Sequence, residues 1–293
     1  MFRKIMIPLD GSKAAEISLP YAVALAGTPY CQITLVSVSE SAASHLYETY
    51  LKSVATQLRR QLNHWGNKKC EVRSEVLIGN PAGEIVRFAR EGKVGLILMA
   101  SYGSSGDGPW ILGNIATKVL RATDRPVLLV KAPASKPVLE QRTLVRKVLV
   151  PLDGSKTGQS ALCYAEKLAT DMGAEIILIE VYEPVGTVGA SGMRDDGAVT
   201  KALTTYLDSV AKPIEEQGVK ISSVVVFGDA AHQIMKYAEE NDVDLIAVSS
   251  HGRSGVGRWV FGSVTEKILH TRGISVLVVR ASEATCEVLL AAP

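Results

Sequence analysis

The stretch "RKIMIPLDGSK" at 3–13 returns as "RKVLVPLDGSK" at 146–156, identical at eight of eleven positions, with apolar exchanges at the other three. The correspondence runs on: Leu25-Ala26 matches Leu168-Ala169 and Val38 matches Val181, each 143 residues later. Further along, "LIGNPAGEI" (77–85) matches "VFGDAAHQI" (226–234), and Gly103 and Gly113 match Gly252 and Gly262, now 149 apart. The offset therefore changes between Val181 and Gly228, where "EPVGTVGASGMRDDG" supplies a glycine-rich loop. A unit this long is a duplicated domain rather than a solenoid repeat. Whatever one half folds into, the other must fold into as well. The 293 residues suffice for two domains that each bury a core. They are expected at 1–137 and 144–293, with the join in "KAPASKPVLEQRT" (131–143), rich in Pro, Lys and polar residues.

Within each half, short apolar runs alternate with stretches of helical period. In the second half "KVLVP", "EIILIEV", "SVVVF", "DLIAVSS" and "SVLVV" are β-branched and nearly continuous, as strands buried on both faces must be. Between them, "SALCYAEKLATDMGA" (160–174), "TKALTTYLDSVAKPIEEQG" (200–218) and "AHQIMKYAEEND" (231–242) read as helices. This βαβα alternation predicts two similar doubly wound, five-stranded parallel-sheet domains of the Rossmann-like α/β class, with right-handed crossovers. Such sheets bind ligands beyond the carboxyl ends of their strands, where strand order reverses.

The bulk numbers exclude several function classes. A net charge of +2 gives no reason to expect nucleic acid or a membrane surface as partner. No run approaches the ~18 apolar residues of a membrane span. The opening "RKIMIPLDGS" lacks the apolar core and cleavage site of a signal peptide, so a cytoplasmic location is expected. Cys31, Cys70, Cys163 and Cys286 are scattered, without a CxxC pair, and are expected to be reduced structural thiols. His232, His251 and His270 are too far apart in sequence to suggest a metal site.

Two segments could carry chemistry. "PLDGS" follows strand 1 of each half, and its plainer reading is a turn bent by Asp-Gly, with Ser12 or Ser155 capping the next helix. A carboxylate at the end of a central strand can also accept hydrogen bonds from an amino group or ribose hydroxyls. The second segment is "SSHGRSGVGRWVFGS" (249–263), with its counterpart "ASYGSSGDGPWILGN" (100–114). A glycine-rich loop that leads into a helix lets backbone N–H groups approach an anion. No GxxxxGK[ST] occurs, and the dinucleotide fingerprint is missing after strand 1, where Pro-Leu-Asp stands. Trp110 and Trp259 match in the two loops and are expected to anchor them by packing. The tail "ATCEVLLAAP" either docks on the domain or is disordered.

The combination resembles the universal stress protein family in its tandem two-domain form. Nucleotide-binding members carry Gly, two residues, Gly, nine residues, Gly and then Ser or Thr. The second half departs only at the leading position, with Ser249 before Gly252, Gly262 and Ser263. The first half departs at both ends, with Ala100 and Asn114 around Gly103 and Gly113. The resemblance implies a strand order of 3-2-1-4-5 in each half and a pseudo-dimer inside one chain, the two last strands pairing across a two-fold axis. It implies an adenine nucleotide, ATP or AMP with or without Mg, held in the second half by Pro151, Asp153, Val181, Ser249, His251, Gly252, Gly262, Ser263 and Val264. Asp153 would hold the adenosine end, the main chain at Val181 the adenine, and Gly252 with Gly262, Ser263 and Val264 the phosphates. His251 reads as a neutral packing or hydrogen-bonding histidine. The first-half equivalents are Asp10, Val38, Gly103, Gly113 and Asn114.

No catalytic constellation is legible, because nucleotide hydrolysis wants a positioned base or water-orienting group near the phosphates. Binding without efficient turnover is therefore the expectation, with occupancy altering conformation or the choice of a signalling partner. A slow ATPase and a structural interaction module with vestigial pockets are the alternatives, and tandem chains could further form a homodimer. The second half is expected to bind more tightly. Its loop carries Arg253 and Arg258, whereas the first loop carries Asp107 and Pro109, and Asn114 stands in place of a hydroxyl.

Overall fold

The computed structural model describes residues 2–26, 31–40, 45–67, 69–103, 112–131, 144–183, 196–252, 261–271 and 273–280. The first half runs β1 (Lys4–Pro8), α1 (Lys13–Glu16), α2 (Leu19–Leu25), β2 (Gln32–Ser39), α3 (His45–His64), β3 (Glu71–Ile78), α4 (Pro81–Glu91), β4 (Leu96–Ala100), α5 (Asn114–Ala122) and β5 (Val127–Val130). The second runs β6 (Lys147–Leu152), α6 (Ser160–Met172), β7 (Glu175–Tyr182), α7 (Asp196–Glu215), β8 (Ile221–Phe227), α8 (Ala230–Glu240), β9 (Leu245–Ser249), α9 (Ser263–Leu269) and β10 (Ser275–Val279). The repeat is broken at one place. Where α6 is continuous, the first half divides into α1 and α2, because Pro20 enters the first turn of α2 and cannot donate to a preceding turn.

All ten strands form one sheet, ordered β3-β2-β1-β4-β5-β10-β9-β6-β7-β8. Each half thus has the order 3-2-1-4-5, and its pairs are parallel. The halves join through an antiparallel pair, with Val276 opposite Leu129, Leu277 opposite Leu128 and Val278 opposite Val127. The intrachain pseudo-dimer is therefore a continuous sheet, and a last strand that would otherwise be an open edge is satisfied by its counterpart. β4, β9 and β10 are buried at every position, which is why they read as unbroken apolar runs. Two core layers flank the sheet, and each draws residues from both halves.

The junction is fastened reciprocally. Lys131, just past β5 and only 2% exposed, donates from Nζ to the carbonyls of Ile268 (3.0 Å) and Thr271 (2.6 Å) at the end of α9. Its counterpart Arg280, just past β10, donates from Nε to Thr123 O at 3.1 Å and from Nη2 to Arg121 O, at the end of α5. A cation at a helix C-terminus satisfies orphan carbonyls and opposes the helix dipole. Burial pulls the Lys131 ammonium down to about 8.

Cys31 and Cys70 are free thiols, but Cys163 on α6 is disulfide-bonded, which corrects the expectation of reduced cysteines throughout. Sequence spacing alone does not show which thiols are bridged. Among the described residues no helix is long and apolar enough to cross a membrane. The join at 132–143, the insertion at 184–195 and the tail at 281–293 lie outside the described residues.

Candidate functional site

Strand order reverses between β1 and β4 in the first half and between β6 and β9 in the second, and both pairs are adjacent in the sheet. The loops leaving these strands diverge to opposite faces and open a crevice at their carboxyl ends. In the second half the crevice is a cavity of about 270 Å³. Pro151 and Asp153 line it from the end of β6 and Val181 from β7. Ser249, His251 and Gly252 line it from the end of β9, and Gly262, Ser263 and Val264 from the start of α9. All the second-half residues named from the sequence thus meet at one place, although Asp153 and Gly252 are 99 positions apart. Ile179, Ile234 and Val248 add apolar wall that sequence reasoning did not assign. Their signal was their place on strands and helix facing the switch point.

The "PLDGS" turn is built the same way in both halves. Gly11 and Gly154 take φ of +86° and +78°, which an L side chain resists. Asp153 Oδ1 accepts the Ser155 N–H at 3.0 Å and the Ser155 hydroxyl at 2.6 Å. Asp10 does the same with Ser12, at the same two distances. Ser12 caps α1 through the Ala15 N–H, while Ser155 accepts the Gly158 N–H. The carboxylates thus have a structural task on one oxygen. The other oxygen, Oδ2, lies against the second loop: a Cβ on Gly252 would collide with Asp153 Oδ2, and one on Gly103 with Asp10 Oδ2. These two glycines are required by the aspartates. Gly262 is different, since a Cβ there would have Ser250 O, at 3.9 Å, as its nearest neighbour.

Further hydrogen bonds fix the second-half loop at both ends. Thr157 donates to Gly252 O at 3.1 Å, the Ser249 hydroxyl to His251 O at 2.6 Å, and Thr265 to Ser249 O at 2.9 Å. The Gly262 N–H returns to Ser250 O at 3.0 Å, so the loop closes on itself where it re-enters the helix. His251 Nδ1 pairs with the Ser250 hydroxyl at 3.0 Å, while its Nε2 is buried with no partner among the described residues. A buried polar atom without a partner is uncommon in a folded chain. Arg253, Arg258 and Trp259 lie outside the described residues, as do Asp107, Pro109 and Trp110.

The first half has its own cavity, of about 670 Å³, and Asp10, Val38, Gly103, Gly113 and Asn114 all line it. Glu40, Leu46, Tyr47, Ser101 and Tyr102 line it too, and sequence reasoning assigned none of these. Among the described residues no group of three His, Cys, Asp or Glu side chains is placed to hold a metal ion.

Comparison with known proteins agrees with this architecture. The profile of the Universal stress protein family matches twice, over residues 1–131 and 145–280. The chain belongs to the universal stress protein family. Both copies of the family domain coincide with the duplicated sheet halves. A universal stress protein of Mycobacterium tuberculosis is 25% identical over 74% of this chain and 71% of its own length. One from Synechocystis is 24% identical over 95% of this chain and its whole length, so the tandem arrangement matches end to end. The crystal structure of a universal stress protein from Archaeoglobus fulgidus superposes with a TM-score of 0.69 at 22% identity, covering 96% of this chain and all of that one. That structure bears on the fold alone.

Proposed function

We propose that the second half of this universal stress protein holds an adenine nucleotide, ATP or AMP, and that the protein acts in the stress response through occupancy of that site. The observation that carries the reading is the meeting, around one cavity, of Asp153, Val181 and both ends of the 249–263 loop. The chemistry of the lining suits such a ligand. Val181, Ile179 and Val248 offer an apolar wall to a base, and Asp153 offers acceptors to a ribose. The open space over Gly262 leaves the backbone N–H groups of Ser263 and Val264 approachable by phosphate oxygens.

The role proposed is binding rather than turnover. Asp153 is the acid among the described lining residues, and its Oδ1 already serves Ser155. Occupancy would then alter conformation or the choice of a signalling partner in the cytoplasm. The first half would bind nucleotide less tightly, because Asn114 replaces Ser263 and Tyr102 replaces His251. The test is to denature freshly purified protein and identify released nucleotide by mass. An adenine nucleotide near one per chain supports the reading, and none, even after incubation with ATP or AMP, refutes it.

A further inference from the structure

The two cavities share a scaffold but not a charge pattern. In the second half Glu183 leaves the mouth of the crevice: its Oε1 accepts the Ala230 N–H at 2.9 Å, at the first turn of α8. The first-half counterparts are Glu40 and Pro81. A proline has no N–H to offer. Glu40 cannot make the bond that holds Glu183, and it lines the first cavity beside Asp10. No Lys, Arg or His lines that cavity among the described residues.

A second difference points to a ligand independently. In the second half the Ser250 hydroxyl is paired with His251 Nδ1. In the first half Tyr102 stands in place of that histidine. Its neighbour Ser101 is fully buried, lines the cavity, and has no hydrogen-bond partner for Oγ among the described residues. A buried hydroxyl left in this way calls for a partner. Val36, Val38, Ile85 and Met99 add apolar lining to the same cavity.

We propose that the first-half cavity takes a phosphate-free, nucleoside-sized ligand, recognised by its apolar face and by neutral hydrogen-bonding groups at Ser101, and that Glu40 repels phosphorylated forms. The proposal rests on the reading of the second half as a nucleotide site through the scaffold they share. Two like charges ~8 Å apart at an effective dielectric of ~40 differ in binding by about a factor of five for each unit of charge, so a dianionic phosphate loses more than tenfold.

The experiment uses the full chain with Gly262→Val, which closes the second cavity, titrated calorimetrically with adenosine and with AMP. Adenosine is expected to bind, with AMP at least tenfold weaker. Glu40→Gln in that background should narrow the preference for adenosine over AMP at least threefold. Pro81→Ala, which restores an N–H to hold Glu40 as Ala230 holds Glu183, should shift the preference in the same direction. AMP binding as well as adenosine, no adenosine binding, or a preference unmoved by both substitutions would overturn the proposal. Failure of the nucleotide reading is seen separately, as no AMP binding that distinguishes wild type from Gly262→Val.

Discussion

If phosphate lies over Gly262 as proposed, Gly262→Val should separate binding from folding. Gly262 is the N-cap of α9 at φ −61° and ψ 151°, a conformation that valine adopts without strain. The nearest atom to an added Cβ is Ser250 O at 3.9 Å, so no core contact is forced. The glycine cap makes no side-chain hydrogen bond that could be lost. The folding cost is then the weaker capping preference of valine, below about 1 kcal/mol, partly offset by the narrower unfolded ensemble. Thermal unfolding should move by less than about 4 °C. Binding is hit much harder, because the isopropyl group fills the approach to the Ser263 and Val264 N–H groups. Two charge-assisted hydrogen bonds at roughly 1.5–3 kcal/mol each make a loss of at least a hundredfold. Calorimetric titration of the full chain with ATP and AMP, beside thermal unfolding, reads both. An affinity within threefold of wild type at unchanged stability would refute the placement of phosphate. Gly252→Ala is the contrasting variant: its Cβ collides with Asp153 Oδ2, so binding and stability should fall together.

Lys131→Met should destabilise the chain by about 1–3 kcal/mol, chiefly by orphaning Thr271 O, since Ile268 O keeps a bond from the Thr271 hydroxyl at 2.6 Å. The Lys131 ammonium is about 8 in the fold against 10.5 unfolded, so between those values the unfolded chain binds more protons on this group. Its contribution therefore makes stability rise with pH across that window, by at most about 3 kcal/mol, and urea unfolding of wild type against Lys131→Met should show that rise only in wild type. Residues 144–293 expressed alone would present β10 as an open edge, and sedimentation should find a dimer through that strand; a monomer would show that the β5 pairing is dispensable.

The fold was legible because its signals agree at every level. Duplication halves the problem, and the apolar runs of β9 and β10 are unbroken because both faces of the sheet are covered. Candidate site residues could be named because the aspartate turn and the two-glycine loop carry the resemblance to the universal stress proteins, from which their roles were taken over. What escaped were relations between residues that no local pattern couples. Lys131 and Arg280 each follow a last strand, but their targets are carbonyls of the other half's helix, 137 and 157 positions away. Glu40 and Glu183 look equivalent in the alignment of the repeats. They differ through a proline forty-one residues on, and only the crevice brings the two together.

The antiparallel junction sets the halves' strands running in opposite directions, so their carboxyl ends, and both cavities, lie at opposite ends of the sheet. Ligands in the two cavities cannot touch. Any communication must pass through elements belonging to one cavity and held by the other half. α9 is such an element: Ser263 at its start lines the second cavity, and about 10 Å further on its last carbonyls receive Lys131 of the first half. α5 mirrors it, from Asn114 at the first cavity to the Arg280 contact. A rigid short helix clamped at its far end holds its first turn in place, so loosening the clamp should weaken ligand binding at that helix's own cavity. Lys131→Met should therefore lower nucleotide affinity at the second cavity several-fold, whereas Arg280→Met should leave it unchanged. The titration compares both variants with wild type at a temperature where each is fully folded. Equal effects of the two substitutions would mean that the junction transmits general stability, and no helix-borne coupling would remain to explain.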